Sequence, residues 1–194
     1  MSMMISASSL MNRAYAGNIY FKDANYRKNS SNHDVMSADR KAMVRALERL
    51  ERLDFDSTDE DDTKAVYHTV TSYLDIYNNA VSSANGSDSS DIRRTGKAMK
   101  TLMKEYDSAL ETIGIDIKAN GTVKIDKSKL QKATTRDVSK VFGNRDYISG
   151  MNKLMKKLRN QVNRETPRQE MQEQDVKSDS LLSETVGRNL NLYG

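Results

Sequence analysis

Residues 110–143 read LETIGIDIKANGTVKIDKSKLQKATTRDVSKVFG, and here the chain changes its period. On either side, apolar residues recur every three or four positions. Within the stretch, Ile115 and Ile117 sit two apart, then Asn120-Gly121, then Val123 and Ile125 two apart. Alternation of this kind lines one face of a strand. Asn-Gly between two such runs predicts a two-residue type I′ hairpin, with φ > 0 at both central residues. Asp126 predicts an N-cap for a short helix carrying Leu130 and Ala133. Thr134 or Thr135 caps a second one carrying Val138, Val141 and Phe142, which Gly143 closes at C′. The expectation is a small apolar knot between long helices.

Asp116-x-Lys118-x-Asn120-Gly121 imitates the opening of a calcium loop. Such a loop needs an oxygen ligand at its third position and a bidentate Glu at its twelfth. Lys118 and Lys127 stand there instead, so the hairpin reading is preferred.

The order Leu-x-x-Ile-Gly-Ile, Asn-Gly-Thr-Val-x-Ile-Asp, Leu-x-x-Ala, Val-x-x-Val-Phe-Gly resembles a segment of the bacterial flagellar filament-capping proteins, also called hook-associated protein 2. In that family the segment joins two long helices near the C-terminal part. The resemblance covers 110–143, and the flanking helices at 63–113 and 146–163 extend it to about half the chain. Filament caps also carry large β-rich middle domains, for which 194 residues leave no room. The resemblance therefore implies a related helical module rather than a whole cap. It further implies assembly by helix association and a place in the bacterial flagellum, outside the cell. Without it, the expected compartment is the cytoplasm.

Working outward, helices are expected at 36–53, 63–85, 91–113 and 146–163. Met36, Met43, Leu47 and Leu50 form one face of the first, with Ser37 as its cap. Val66, Val70, Tyr73, Leu74, Tyr77, Val81 and Ala84 stripe the second, the tyrosines packing their rings and turning their hydroxyls to water. Its approach, DFDSTDEDD (54–62), places carboxylates where the helix macrodipole favours them. The short connection NGSDSS makes the next helix antiparallel. Ile92, Met99, Leu102, Tyr106, Leu110 and Ile113 form its near-heptad seam, and Ile148, Met151, Met155, Leu158 and Val162 form another on the last helix. The outer face of that helix is basic, with Lys153, Lys156, Lys157, Arg159, Arg164 and Arg168, and reads as solvated.

The ends read differently. Residues 1–35 are expected as a flexible tail, in which Leu10, Met11, Tyr15, Ile19 and Tyr20 could line a short helical face and dock on a partner; 26–34, YRKNSSNHD, reads as a loop. Residues 36–165 form the helical domain. Residues 166–194 are a polar linker, marked by the single Pro167, and a short apolar tail.

Composition supports a mainly α fold: an elongated antiparallel helical bundle or coiled-coil hairpin with one small β-hairpin. One Pro and nine Gly leave few helix breakers. With no Cys there is neither a disulfide framework nor a thiol nucleophile. The net charge of +4 is spread over 31 basic and 27 acidic residues, which is a poor pattern for nucleic acid. No apolar run reaches membrane-span length, and the first residues lack the pattern of a secretory signal. His33 and His68 have no partners at zinc spacing, and no phosphate loop or nucleophile elbow occurs. No catalytic, cofactor or metal residue is expected. The candidate interface comprises Met151, Met155, Leu158 and Val162 on the seam with Leu181, Leu182, Leu190, Leu192 and Tyr193 in the tail. The function expected is structural: a hook-associated type of module that binds a protein partner or itself through its seams. The alternative is a cytosolic adaptor or chaperone holding a partner helix, with nucleic-acid binding on the basic face a weaker third.

Overall fold

The protein is described by a computed structural model covering residues 6–165. It is mainly α: 74% of the described residues are helical. The order is α1 (Ala7–Ala14), a 3-10 turn (Ile19–Lys22), α2 (Ala24–Lys28), α3 (Asn32–Leu50), α4 (Glu60–Asn85), α5 (Ser90–Lys104), α6 (Asp107–Thr112), β1 (Ile115–Ile117), β2 (Val123–Ile125), α7 (Lys127–Lys132) and α8 (Thr135–Phe142). A last helix, α9, covers 145–165.

Helix α4 is the centre. Its buried stripe runs from Val66 to Ala84. Helix α3 lies antiparallel to it, covering the stripe with Met36, Met43, Leu47 and Leu50, all buried. Helix α5 packs on the other side, antiparallel again. At their crossing a Cβ on Gly96 would sit 2.8 Å from Ala84 Cβ, so the absence of a side chain sets how closely the two helices approach. Helix α9 closes the bundle between α5 and α3. Gly150 meets Leu102, Thr95 Oγ1 donates to Gln161 Oε1 at 2.8 Å, and Asn152 Nδ2 donates to Glu51 Oε1 at 3.3 Å.

The starts of the helices follow their capping chemistry. Asp59 caps α4, accepting from the amides of Asp61 and Asp62, with Glu60, Asp61 and Asp62 in the first turn. Asp126 caps α7 through Lys129 N–H. Thr134 caps α8 through Asp137 N–H, and the Asp137 carboxylate accepts in return from the Thr134 hydroxyl. A hydrogen bond from Lys140, seconded by that from Thr134, holds the Asp137 carboxyl below its ordinary range.

The hairpin forms where the period changes, with Ile115 opposite Ile125 and Ile117 opposite Val123. Its turn differs from the expected type I′. Only Gly121 has positive φ, at 87°, and no non-glycine residue among those described does. Gly121 N–H donates to Lys118 O, and Lys118 N–H to Thr122 O. This is a three-residue loop ending in a left-handed glycine. Asn120 stays at negative φ because its side chain is otherwise engaged, accepting from the backbone N–H and hydroxyl of Thr122. Helix α4 holds the hairpin on its flank. The Asn78 amide pairs with both N–H and C=O of Val123, as a neighbouring strand would, and the Tyr77 hydroxyl donates to Gly121 O.

Several expectations are corrected. Helix α3 starts at Asn32, capped by Ser31 rather than Ser37. The helix expected over 91–113 breaks after Lys104, and Tyr106 at the break turns its ring edge-on to Tyr147 at 5.3 Å. Gly143 ends α8 at φ −95°, not in the left-handed region; a Cβ there would press on the Phe55 ring at 3.1 Å. The hydroxyls of Tyr73 and Tyr77 do not face water. Tyr73 shares a 2.6 Å hydrogen bond with Tyr147 inside the core, beside Phe142.

The largest correction concerns the N-terminal segment. The described part of the expected tail, 6–35, is folded onto the body. Leu10, Ala14 and Tyr15 are buried with the core, and α1 packs on α3 and α4. Arg45 of α3 donates to the carbonyls of Ala14 and Ala16, and Arg49 to that of Leu10.

Candidate interaction surface

A carboxylate on an apolar stripe must be paired. Asp39 lies three residues after Met36 and four before Met43, on the buried face of α3, and is fully buried. Its partners come from the N-terminal segment and from α4. The Arg27 guanidinium grips both carboxylate oxygens, at 2.6 and 2.7 Å, and donates also to Phe21 O at 3.0 Å and Ser83 Oγ at 2.9 Å. The Tyr15 hydroxyl donates to Asp39 at 2.7 Å and accepts from Asn79 Nδ2 at 3.0 Å. Ser83 Oγ donates to the second carboxylate oxygen. Burial opposes the Arg27 charge, but Asp39 outweighs it, and the guanidinium pKa is raised. Burial, reinforced by the Asp39 charge, pushes the Tyr15 hydroxyl far above its ordinary value. This planar, two-point pairing fixes orientation as well as position.

The pairing decides what the segment displays. Between Tyr15 and Arg27 the chain is pinned at both ends, and its side chains are sorted inward or outward. Phe21 packs on the core. Ile19 (46%), Tyr20 (70%) and Tyr26 (44%) are the large apolar side chains left exposed among the described residues. Tyr20 and Tyr26 form a ridge, their ring centroids 5.5 Å apart, and Tyr26 meets Phe21 edge-on at 5.1 Å; Ile19 precedes Tyr20 in the same 3-10 turn. Asp23 caps α2 beneath Tyr26. Lys22 is held by Asn12.

A concavity lies at the other end of α3. Leu50, Leu53, Phe55 and Ile148 floor a groove of about 570 Å³, and Arg145, Lys153 and Lys156 stand on its rim.

The seam residues named as a candidate interface are not on a surface. Met151, Met155, Leu158 and Val162 are buried in the core with Ile148. The heptad spacing marks packing of α9 onto α5 and α3, so these residues are corrected to core. Leu181, Leu182, Leu190, Leu192 and Tyr193 lie outside the described residues, as does Arg168. The described part of the basic face is exposed, with Lys153 and Lys156 turned to the groove. His33, read as a loop residue, lies in the first turn of α3. His68 lies on α4, its ring beside Tyr67.

Sequence reasoning passed over Arg27 and Asp39. The signal available was Asp39 itself, on the buried stripe three residues from Met36 and four from Met43.

Comparison with protein-family models, with curated proteins and with solved structures found no match. No described helix is long and apolar enough to cross a membrane.

Proposed function

We propose that this chain is a non-catalytic protein-interaction module of the hook-associated kind, and that it meets its protein partner with the ridge of Ile19, Tyr20 and Tyr26. One observation carries the reading: among the described residues, the exposed large apolar side chains lie on a single segment, which a buried Arg–carboxylate pair anchors. Clustered exposed apolar side chains mark interaction sites more than scattered ones do. Tyrosine gives much contact area for little conformational entropy, and tyrosines are enriched among residues that dominate binding. The order of elements, with a helix pair, a hairpin, two short helices and a last helix, supports the resemblance to filament-cap proteins. The mechanism differs from association through the seams, because those are occupied within the chain.

The test is capture from native cells with three forms of the full chain: unchanged, Ile19→Ser/Tyr20→Ala, and Lys64→Ala on distant α4 as a control. The expected result is retention of hook or filament proteins by the unchanged and control chains, and loss of about tenfold or more by the ridge variant. Retention of cytosolic proteins instead would favour the adaptor reading. Equal retention by the ridge variant would remove the ridge from the binding surface.

A further inference from the structure

We propose that the groove between α3 and α9 receives the chain's own residues 179–186, DSLLSETV. The groove is shaped for an apolar, acidic segment. Leu50, Leu53, Phe55 and Ile148 form its floor. Its rim carries Arg145, Lys153 and Lys156 against a single carboxylate, Glu51, which Asn152 already engages. An occupant must therefore bring aliphatic side chains together with negative charge.

Residues 179–186 have that composition. Leu181, Leu182 and Val186 are accompanied by Asp179 and Glu184, with no basic residue among them. The apolar stretch after it, Leu190, Leu192 and Tyr193, follows Arg188, which the cationic rim disfavours. The connection is also long enough. From residue 165 back to Ser149 on the groove wall, α9 spans about 24 Å at 1.5 Å per residue. The fifteen residues 166–180 that intervene suffice to cover that distance, since fifteen residues can span up to about 50 Å. A segment joined to the same chain binds as an intramolecular event, so a modest intrinsic affinity suffices.

The chain's lack of cysteine makes the test clean. In the full chain, one pair of cysteines is introduced by Ser149→Cys and Ser183→Cys, on the groove and in the segment. A control pair uses Ser108→Cys with the same Ser183→Cys. Ser108 is exposed, two residues from Tyr106, whose hydroxyl donates to Asn144 at the same end of α9. Disulfide formation is followed with oxidised glutathione as the oxidant. The groove pair is expected to close within one chain at least tenfold faster than the control pair, at a rate independent of protein concentration. Adding Leu181→Asp/Leu182→Asp should return it to the control rate. Equal rates for the two pairs would overturn the proposal. So would cross-links only between chains at a rate rising with concentration, which would assign the groove to a second copy. A groove-pair rate unaffected by the two aspartates would also overturn it.

Discussion

At the scale of the residue, Asp39 carries the most consequence. It is fully buried and every oxygen is engaged, so its removal strands Arg27 and the Tyr15 hydroxyl together. Breaking one side of a buried pair costs more than the pair itself contributes. Asp39→Ala is therefore expected to lower unfolding free energy by about 3 kcal/mol, discounted from the fully buried case because Arg27 retains some solvent. Urea denaturation checks it, and a loss below about 1 kcal/mol would place the pair outside the cooperative core. The buried tyrosines give a second prediction. Burial raises the pKa of Tyr15, Tyr73, Tyr77 and Tyr147 well above that of an unfolded chain. A group with a raised folded pKa contributes stability that is complete below the unfolded value, near 10 for tyrosine, and is lost as pH rises beyond it. Each such group should remove about 1.4 kcal/mol per pH unit above that point. Tyrosinate absorbance and circular dichroism, followed together, should show these four ionising as helix is lost; ionisation with the helix signal intact would contradict their burial.

At the scale of the element, the hairpin depends on one glycine. Gly121 holds φ 87°, and a Cβ there would stand 3.1 Å from Lys100 Cβ. Gly121→Val should cost on the order of 1 kcal/mol or more, read as a lowered melting temperature; no change would refute the turn. Helix α9 makes the complementary prediction. Leu158→Asp puts an unpaired charge into the core and should cost several kcal/mol. Normal melting together with lost self-association would return the seam to an interface. These elements were legible because their signals are local. Period two around Asn-Gly gave the strands, and the three-four spacing of Ile148 to Val162 gave the face of α9. The kind of turn was not legible, since it depends on the Asn120 side chain choosing Thr122. Nor was the break at Tyr106, a residue that belongs to the seam by spacing and to the Tyr147 cluster by contact.

At the scale of the molecule, the N-terminal segment separates a bundle with a tail from a bundle with a display surface. Its sequence is short, polar and low in periodicity, so local reasoning read it as tail. What folds it is non-local: Asp39 on α3 needs a cation, α4 supplies Ser83 and Asn79, and Arg27 and Tyr15 complete the set. The ridge follows from that closure, and so does the proposed function. The most direct test is amide hydrogen exchange of residues 15–31 in the full chain, beside Asp39→Ala. Amides of Tyr26, Arg27 and Asn29 donate within the segment. They should exchange far more slowly than in a free peptide, and lose that protection in Asp39→Ala before the amides of α4 do. Exchange of 15–31 at free-peptide rates in the unchanged chain, with α3 and α4 protected, would contradict a fixed ridge and leave the segment a tail.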